Sequence, residues 1–402
     1  MGRSGTQPLR LLGGLLIAAL AMLTVVSVPA VATSGASLAV TEFGYCLAVI
    51  ALLPLLPGWH RSLAGRLGAL LSVAAIVLLV MPVKGAMDTS RQLPDLFTAR
   101  FGPGLRPPAE FADASRTAPF VLTELVRPAQ SKPVRYEERA IKTAGGQELA
   151  LHVYHPGYLH GPIPGVLVIH GEAWRSGSGR ELVALNGYLA ARDYLVAAIN
   201  ISAPPHRAFA VARDGAISAL AFLKEHATEF GLDPKKLVVL GRSMGGHAAL
   251  YVAYTVNDPA VRGAISLYAP TDLSRWYESS TEPGAVDVGR LLGDYLGRPP
   301  DAAASLLDEA SPINFVDRHS PATLMVHGMR DEVVPPDQSE RLDARLEQAG
   351  VQHLLIRLPW ATHGCDTNFA GPCGQITTYA VERFLGAVTS DPRPVAHALT
   401  TR

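Results

Sequence analysis

The run Leu237-Val238-Val239-Leu240-Gly241-Arg242-Ser243-Met244-Gly245-Gly246-His247-Ala248-Ala249-Leu250 decides how the chain is read. Four consecutive apolar residues predict a strand buried on both faces. The Ala- and Leu-containing run after Gly246 favours a helix. Between them a serine stands in the pattern G-x-S-x-G. A Cβ at the flanking glycines would clash in so tight a turn. The turn lifts the serine hydroxyl above the sheet edge and sets a helix N-terminus behind it, where developing negative charge is favoured. Ser243 is the candidate nucleophile.

On either side, short apolar strands alternate with helical stretches. Val134 to Thr143 and Glu148 to His155 predict two strands joined at Ala144-Gly145-Gly146-Gln147. Gly165 to His170, Tyr194 to Ile201, Gly263 to Tyr268, Ala322 to His327 and His353 to Leu358 predict further strands. Glu181 to Arg192 and Ala208 to Phe230 predict helices, the second stopping at Gly231. This alternation implies an α/β fold, a mostly parallel sheet with helices on both faces and sites at the strand C-termini.

A serine hydroxyl needs a general base, and the base needs a carboxylate to hold its tautomer. In this chain order the acid and then the histidine follow the serine. Asp331 lies just after the strand Ala322 to His327, with Glu332 as the alternative acid. His363 follows the strand His353 to Leu358 in Ala361-Thr362-His363-Gly364. His247 is expected to pack inside the helix behind the nucleophile, and His170 to shape the loop after its strand. His152, His155, His206, His226 and His353 have no comparable setting. No His or carboxylate pair has a convincing metal spacing, so neither a metal nor another cofactor is expected. The oxyanion of a tetrahedral intermediate needs backbone N–H donors. Met244 supplies one. The other comes from the loop after Gly165 to His170, at Gly171, Glu172 or Ala173.

Residues 134–388 resemble the α/β-hydrolase superfamily, in the branch of bacterial esterases and lipases with an H-G-G-x-W-like oxyanion loop. His170-Gly171-Glu172-Ala173-Trp174-Arg175-Ser176-Gly177 is similar to that loop, with Glu172 where the family usually has glycine. Asp193-Tyr194 with Val196-Ala197-Ala198-Ile199-Asn200, Gly231-Leu232-Asp233-Pro234, and His327-Gly328 with Asp331-Glu332-Val333-Val334-Pro335 resemble its other motifs. The resemblance implies a serine hydrolase that cleaves carboxylic esters through an acyl-enzyme. A serine peptidase or amidase and an acyltransferase are the alternatives on the same fold, and a non-catalytic binding protein is the remaining one. The longer connection from Asp272 to Ser311, with Trp276, Tyr277, Leu291, Leu292, Tyr295 and Leu296, is either a cap over the site or a simple crossover.

The first 83 residues have a different character. Of the 402 residues, 48% are apolar and 17% charged, below the roughly 25% charged of ordinary soluble domains. Between Leu11 and Val83 the charged side chains are Glu42, Arg61 and Arg66. Three apolar stretches, 11–32, 38–57 and 67–83, suit transmembrane helices, which need about 17–25 residues. Arg3, Arg10, His60, Arg61 and Arg66 place the N-terminus and the 58–66 loop in the cytoplasm, and the rest of the chain outside. A cleaved signal peptide ending near Ala30-Val31-Ala32 would leave the same orientation. Residues 84–133 hold seven prolines and are expected to form an extracytoplasmic linker with a short helix near Phe120 to Val126. Residues 389–402 form a C-terminal tail. The expectation is a multi-pass cell-membrane protein touching membrane lipids and a small-molecule or lipid ester. Equal numbers of basic and acidic residues, 35 each, argue against a nucleic-acid partner. Of the three cysteines, Cys46 falls in the second stretch. Cys365 and Cys373 are expected to form a disulfide across a short, turn-prone loop in an oxidising exterior.

Overall fold

The computed structural model describes residues 6–26, 31–102, 113–158, 161–171, 182–201, 208–280, 286–302 and 304–390. These residues contain eight strands, β1 (Arg135–Lys142), β2 (Glu148–His155), β3 (Ile163–Ile169), β4 (Leu195–Asn200), β5 (Leu232–Arg242), β6 (Val261–Leu267), β7 (Ala322–Gly328) and β8 (His353–Leu358). They form one sheet in the order β1-β2-β4-β3-β5-β6-β7-β8. Pairings of β2 with β1 and β4 are antiparallel, and all others are parallel. The register sets Ile169 beside Gly241, and Gly241 beside Ser266. The C-termini of the parallel strands β3 to β8 therefore share one edge.

Among the described residues, twelve α-helices accompany the sheet: α1 (Thr6–Met22), α2 (Val31–Ile50), α3 (Leu63–Phe101), α4 (Val183–Ala190), α5 (Ala208–Glu225), α6 (Ala227–Phe230), α7 (Met244–Thr255), α8 (Leu273–Ser279), α9 (Val288–Leu296), α10 (Ala304–Ala310), α11 (Asp337–Ala349) and α12 (Pro372–Thr389). Alternation along the strands divides the core. Leu167, Val239, Ala264 and Met325 pack with α5 and α7–α11 on one face. Val166, Val238, Leu240, Ile265 and Val326 pack with α4, α12 and part of α3 on the other. The helix expected over 208–230 is broken at His226, and its second piece ends on Gly231 in the left-handed region. In the 272–311 connection, Trp276, Leu292 and Tyr295 are buried in the core beside α5 and α7.

The N-terminal region departs from its expected boundaries. The stretch expected over 11–32 is α1, which stops at Met22 and is followed by a turn through Val26. Hydropathy alone carries on through Val25, Val26 and Val28, but β-branched residues favour helix less. The second stretch, expected from Leu38, begins at Val31 and leaves the α conformation after Ile50, ahead of Pro54 and Pro57. The third begins at Leu63, where the Ser62 hydroxyl accepts the Gly65 N–H at 3.0 Å, and runs 39 residues through Pro82 and Pro94. Among the described residues, two segments, Ser34–Leu55 and Leu63–Phe101, are long and apolar enough to cross a membrane; α1 is shorter.

The expected linker therefore does not begin at Lys84. Residues 84–101 continue α3 because Ala86, Leu93 and Phe97 are buried in the same core as α12. Phe97 packs edge-on to Tyr379, and Phe101 to Phe384. The segment from Asp113 is also fastened down. The Arg116 N–H donates to the Glu382 carboxylate at 3.1 Å, and the Val121 N–H to the Gln375 side-chain oxygen at 2.8 Å. The short helix expected near 120–126 is one 3-10 turn, Leu122–Leu125. Residues 103–112 and 391–402, the latter most of the expected tail, lie outside the described residues.

Candidate active site

β5 ends at Arg242 and α7 begins at Met244, so Ser243 makes the turn alone. Its φ of 51° and ψ of −126° are unusual for a residue with a side chain, a strain of about 1–3 kcal/mol that the surroundings must hold. Its N–H donates to the Leu267 carbonyl at 2.9 Å, and its carbonyl accepts the His247 N–H at 3.1 Å. The glycines on either side are required. A Cβ at Gly241 would overlap the Gly245 carbonyl, and one at Gly245 would overlap the carbonyls of Ile169 and His170. The bare backbone of Gly245 thus lets β3 and the elbow touch.

The turn after β7 carries Asp331, whose side chain is completely buried. One carboxylate oxygen accepts the N–H groups of Val333 and Val334, both at 2.9 Å. The other lies 2.7 Å from His363 Nδ1 and 3.4 Å from His327 Nε2. Burial opposes the charge, but attraction to His363 and hydrogen bonds from His327 and His363 outweigh it, holding the carboxyl well below the usual carboxylate range. Asp331, rather than Glu332, makes the contact with His363.

His363 completes the chain of contacts. Its Nε2 lies 2.9 Å from Ser243 Oγ. With Nδ1–H donating to Asp331, Nε2 is left to accept the serine proton. The structure thus brings together all three residues nominated from the sequence, from three separate strand ends.

Met244 opens α7, so its N–H is among the unpaired donors of a helix N-terminus. Gly171 lies against the elbow: a Cβ there would come 3.3 Å from Ser243 Cβ and 2.9 Å from the Arg242 carbonyl. Glu172 and Ala173, the other two candidates for the oxyanion donor, lie outside the described residues. His170 Nε2 accepts the Ile201 N–H at 3.0 Å, tying the start of this loop to the end of β4. Burial and the nearby Arg242 charge push its pKa down to about 4, so the ring is neutral at pH 7. His247 is fully buried behind the elbow, between the Tyr295 hydroxyl at 2.7 Å and the Ala310 carbonyl at 2.8 Å.

Three neighbours escaped the sequence reading. Tyr268, just past β6, packs its ring edge-on to His363 at 4.7 Å. Arg242 Nε donates to the Tyr268 hydroxyl at 2.6 Å, and its guanidinium pairs with Asp366 at 3.2 Å. Tyr268 also hydrogen-bonds Asp366. Arg242 occupied a variable position of the motif. Tyr268 follows a strand on the same sheet edge, a position that by itself names no role. Asp366 sits in the loop closed by the Cys365–Cys373 disulfide, whose Cα atoms are 5.6 Å apart. Cys46 is a free, exposed thiol. Among the described residues, no group of three or more His, Cys, Asp or Glu could hold a metal ion.

Sheet order, a strained serine between β5 and α7, and an acid and a histidine after β7 and β8 are the arrangement of the α/β-hydrolase fold. Residues 151–346 match the BD-FAE family. Esterase LipC of Mycobacterium tuberculosis is 29% identical over 245 residues, covering 56% of this chain and 59% of LipC. Esterase LipQ of the same organism is 27% identical over 261 residues, covering 61% of this chain and 60% of LipQ. The chain thus spans about three fifths of the length of these curated relatives. A carboxylesterase from a metagenomic library, EstE1, superposes with a TM-score of 0.54 at 20% identity, covering 76% of this chain and 98% of that one. A puromycin-hydrolysing peptidase of M. tuberculosis superposes with the same TM-score at 22% identity, covering 67% of this chain and 41% of its own. In sequence the chain is similar to the esterases and lipases of the α/β-hydrolase fold.

Proposed function

We propose that this protein hydrolyses carboxylic esters through an acyl-enzyme on Ser243, with His363 as general base and then general acid, and Asp331 orienting it. The observation that carries the proposal is the unbroken line of contacts, 2.9 Å from Ser243 to His363 and 2.7 Å from His363 to Asp331. Ser243 Oγ attacks the acyl carbon while its proton passes to His363 Nε2. The alcohol leaves with that proton. Water, deprotonated by the same nitrogen, attacks the acyl-enzyme and releases the acid and the free serine. The Met244 N–H and a donor from the loop beginning at Gly171 stabilise the oxyanion. The esterase relatives support an ester rather than an amide substrate. Likeness to the puromycin-hydrolysing peptidase keeps amide hydrolysis as the second reading, and it rests on fold alone.

A panel of p-nitrophenyl esters of rising chain length beside peptide anilides decides between them. Ester turnover is expected, and Ser243→Ala removes it by at least a thousandfold while the far-UV spectrum stays unchanged. Turnover within tenfold of wild type in that variant overturns the assignment, and faster anilide cleavage favours the amidase.

The chain is anchored by its N-terminal helices, with residues after about 83 on the extracytoplasmic side. The short loops carry their basic residues at one end, and Cys365 with Cys373 suits an oxidising compartment. A C-terminal alkaline phosphatase fusion is expected to be active, and a C-terminal fluorescent-protein fusion exported by the same route dark. The reverse pattern rejects this topology.

A further inference from the structure

The loops that carry Asp331 and His363 rest on the outer ends of the N-terminal helices. Arg330, next to Asp331, donates to the carbonyls of Thr24 and Leu23 at 2.5 and 3.1 Å, where α1 ends. Gly364, next to His363, lies against α2: a Cβ there would be 3.8 Å from Leu38 Cδ2. Asn368 donates to the Glu42 carbonyl at 3.0 Å, and the Cys373 N–H donates to the Glu42 carboxylate at 3.3 Å. Trp360 lies against Gly85 of α3, where a Cβ would overlap its ring. All these contacts gather on the sheet edge that holds Ser243.

Apolar stretch and contacts meet at one level. The uninterrupted apolar part of α3 ends near Val83, about half a turn from the Trp360 contact at Gly85. Gly44 of α2 touches Leu79 of α3, so Glu42 and its partners sit about half a turn nearer the polar end. Below that level Leu70, Val73 and Val77 of α3, with Leu15, Leu16 and Leu20 of α1, are exposed. Val25 and Val26, beside the carbonyls that Arg330 holds, are exposed too. In a bilayer this apolar sleeve lies in hydrocarbon, and the edge carrying Ser243, Asp331 and His363 sits at the membrane–water boundary.

Resting on the ester-hydrolase reading above, we infer that the substrate is a lipid ester taken directly from the bilayer that holds the helices. Its tail stays among the acyl chains beside α1 and α2, and its ester carbonyl rises to Ser243. The acyl group passes to Ser243 Oγ as the carbon–oxygen bond to the alcohol breaks. Water then returns a carboxylic acid and the free serine.

The test uses the full chain in phosphatidylcholine vesicles, with p-nitrophenyl palmitate as the embedded ester and p-nitrophenyl acetate as the soluble one. Palmitate turnover is normalised to acetate turnover in the same vesicles. If the inference holds, embedded ester is cleaved at least tenfold faster when it shares the enzyme's vesicles than when it is supplied in separate ones. The rate also falls in proportion as added phosphatidylcholine dilutes it at constant bulk concentration. The Arg330→Gln, Asn368→Ala double variant, which releases two ties between the catalytic edge and the helices, lowers the palmitate-to-acetate ratio several-fold. Equal rates from shared and separate vesicles, or no surface dilution, overturn the lipid inference while Ser243-dependent acetate turnover keeps the ester-hydrolase reading. Loss of both activities in a folded protein overturns both.

Discussion

At the scale of the residue, the site depends on groups held where water would otherwise compete. Ser243 keeps a strained backbone because Gly241 and Gly245 let neighbouring carbonyls approach it. His247 illustrates the electrostatic side. Burial pushes its pKa down to about 4, from about 6.5 in an unfolded chain. The folded state therefore refuses a proton that the unfolded state accepts. The resulting stability is complete above about pH 6.5 and is lost as pH falls towards 4, roughly 3 kcal/mol for this residue. His170 adds a loss of the same sign. We expect His247→Gln, which keeps a hydrogen-bonding side chain but does not titrate, to lose markedly less stability than wild type between pH 6.5 and 4.5. Denaturant midpoints measured across that range check this, and parallel curves for the two proteins would reject it.

At the scale of the element, the loop from Cys365 to Cys373 links the site to the helices. It carries Asp366 to Arg242 and Tyr268 on one side and Asn368 to α2 on the other. The disulfide spans a sequence separation of eight, for which loop-closure entropy predicts about 2–3 kcal/mol. The Cys365→Ser, Cys373→Ser double variant should melt about 5–10 °C below wild type, with dithiothreitol bringing wild type down to the same temperature. A double variant as stable as the oxidised protein rules the disulfide out as a stabilising link. The elbow, the acid turn and the histidine loop were legible because each joins an apolar strand to a few residues of strong local preference. Tyr268 and Asp366 were not, since a tyrosine after a strand and an aspartate in a loop have many uses. Their roles exist only once β5, β6 and the disulfide loop lie side by side.

At the scale of the whole molecule, α3 outruns its own apolar stretch. A helix of 39 residues is about 58 Å long, and about 20 residues would suffice to cross a hydrocarbon core. The remainder lies on α12 through Ala86, Leu93 and Phe97. A protein beginning at Lys84 keeps that packing, whereas one beginning at Val134 also loses the Arg116 and Val121 ties to α12. We expect the first to be recovered as a folded, ester-cleaving protein and the second to aggregate, with size-exclusion chromatography and acetate turnover as the measures. Equal yield and activity would show that residues 84–133 do not support the catalytic domain. Apolar strands, the glycine-flanked serine and the order of serine, acid and histidine were determined by the sequence itself, because they rest on backbone sterics and alternation over a few residues. So was the greasy character of the first 83 residues. Tertiary structure decided that α3 runs past the apolar stretch, that Glu42 meets the N-terminus of α12, and that the sheet edge holding Ser243 rests on the C-terminal end of α1 and the N-terminal half of α2. Those outcomes depend on which surfaces meet across hundreds of residues, and local preference carries no information about that distance.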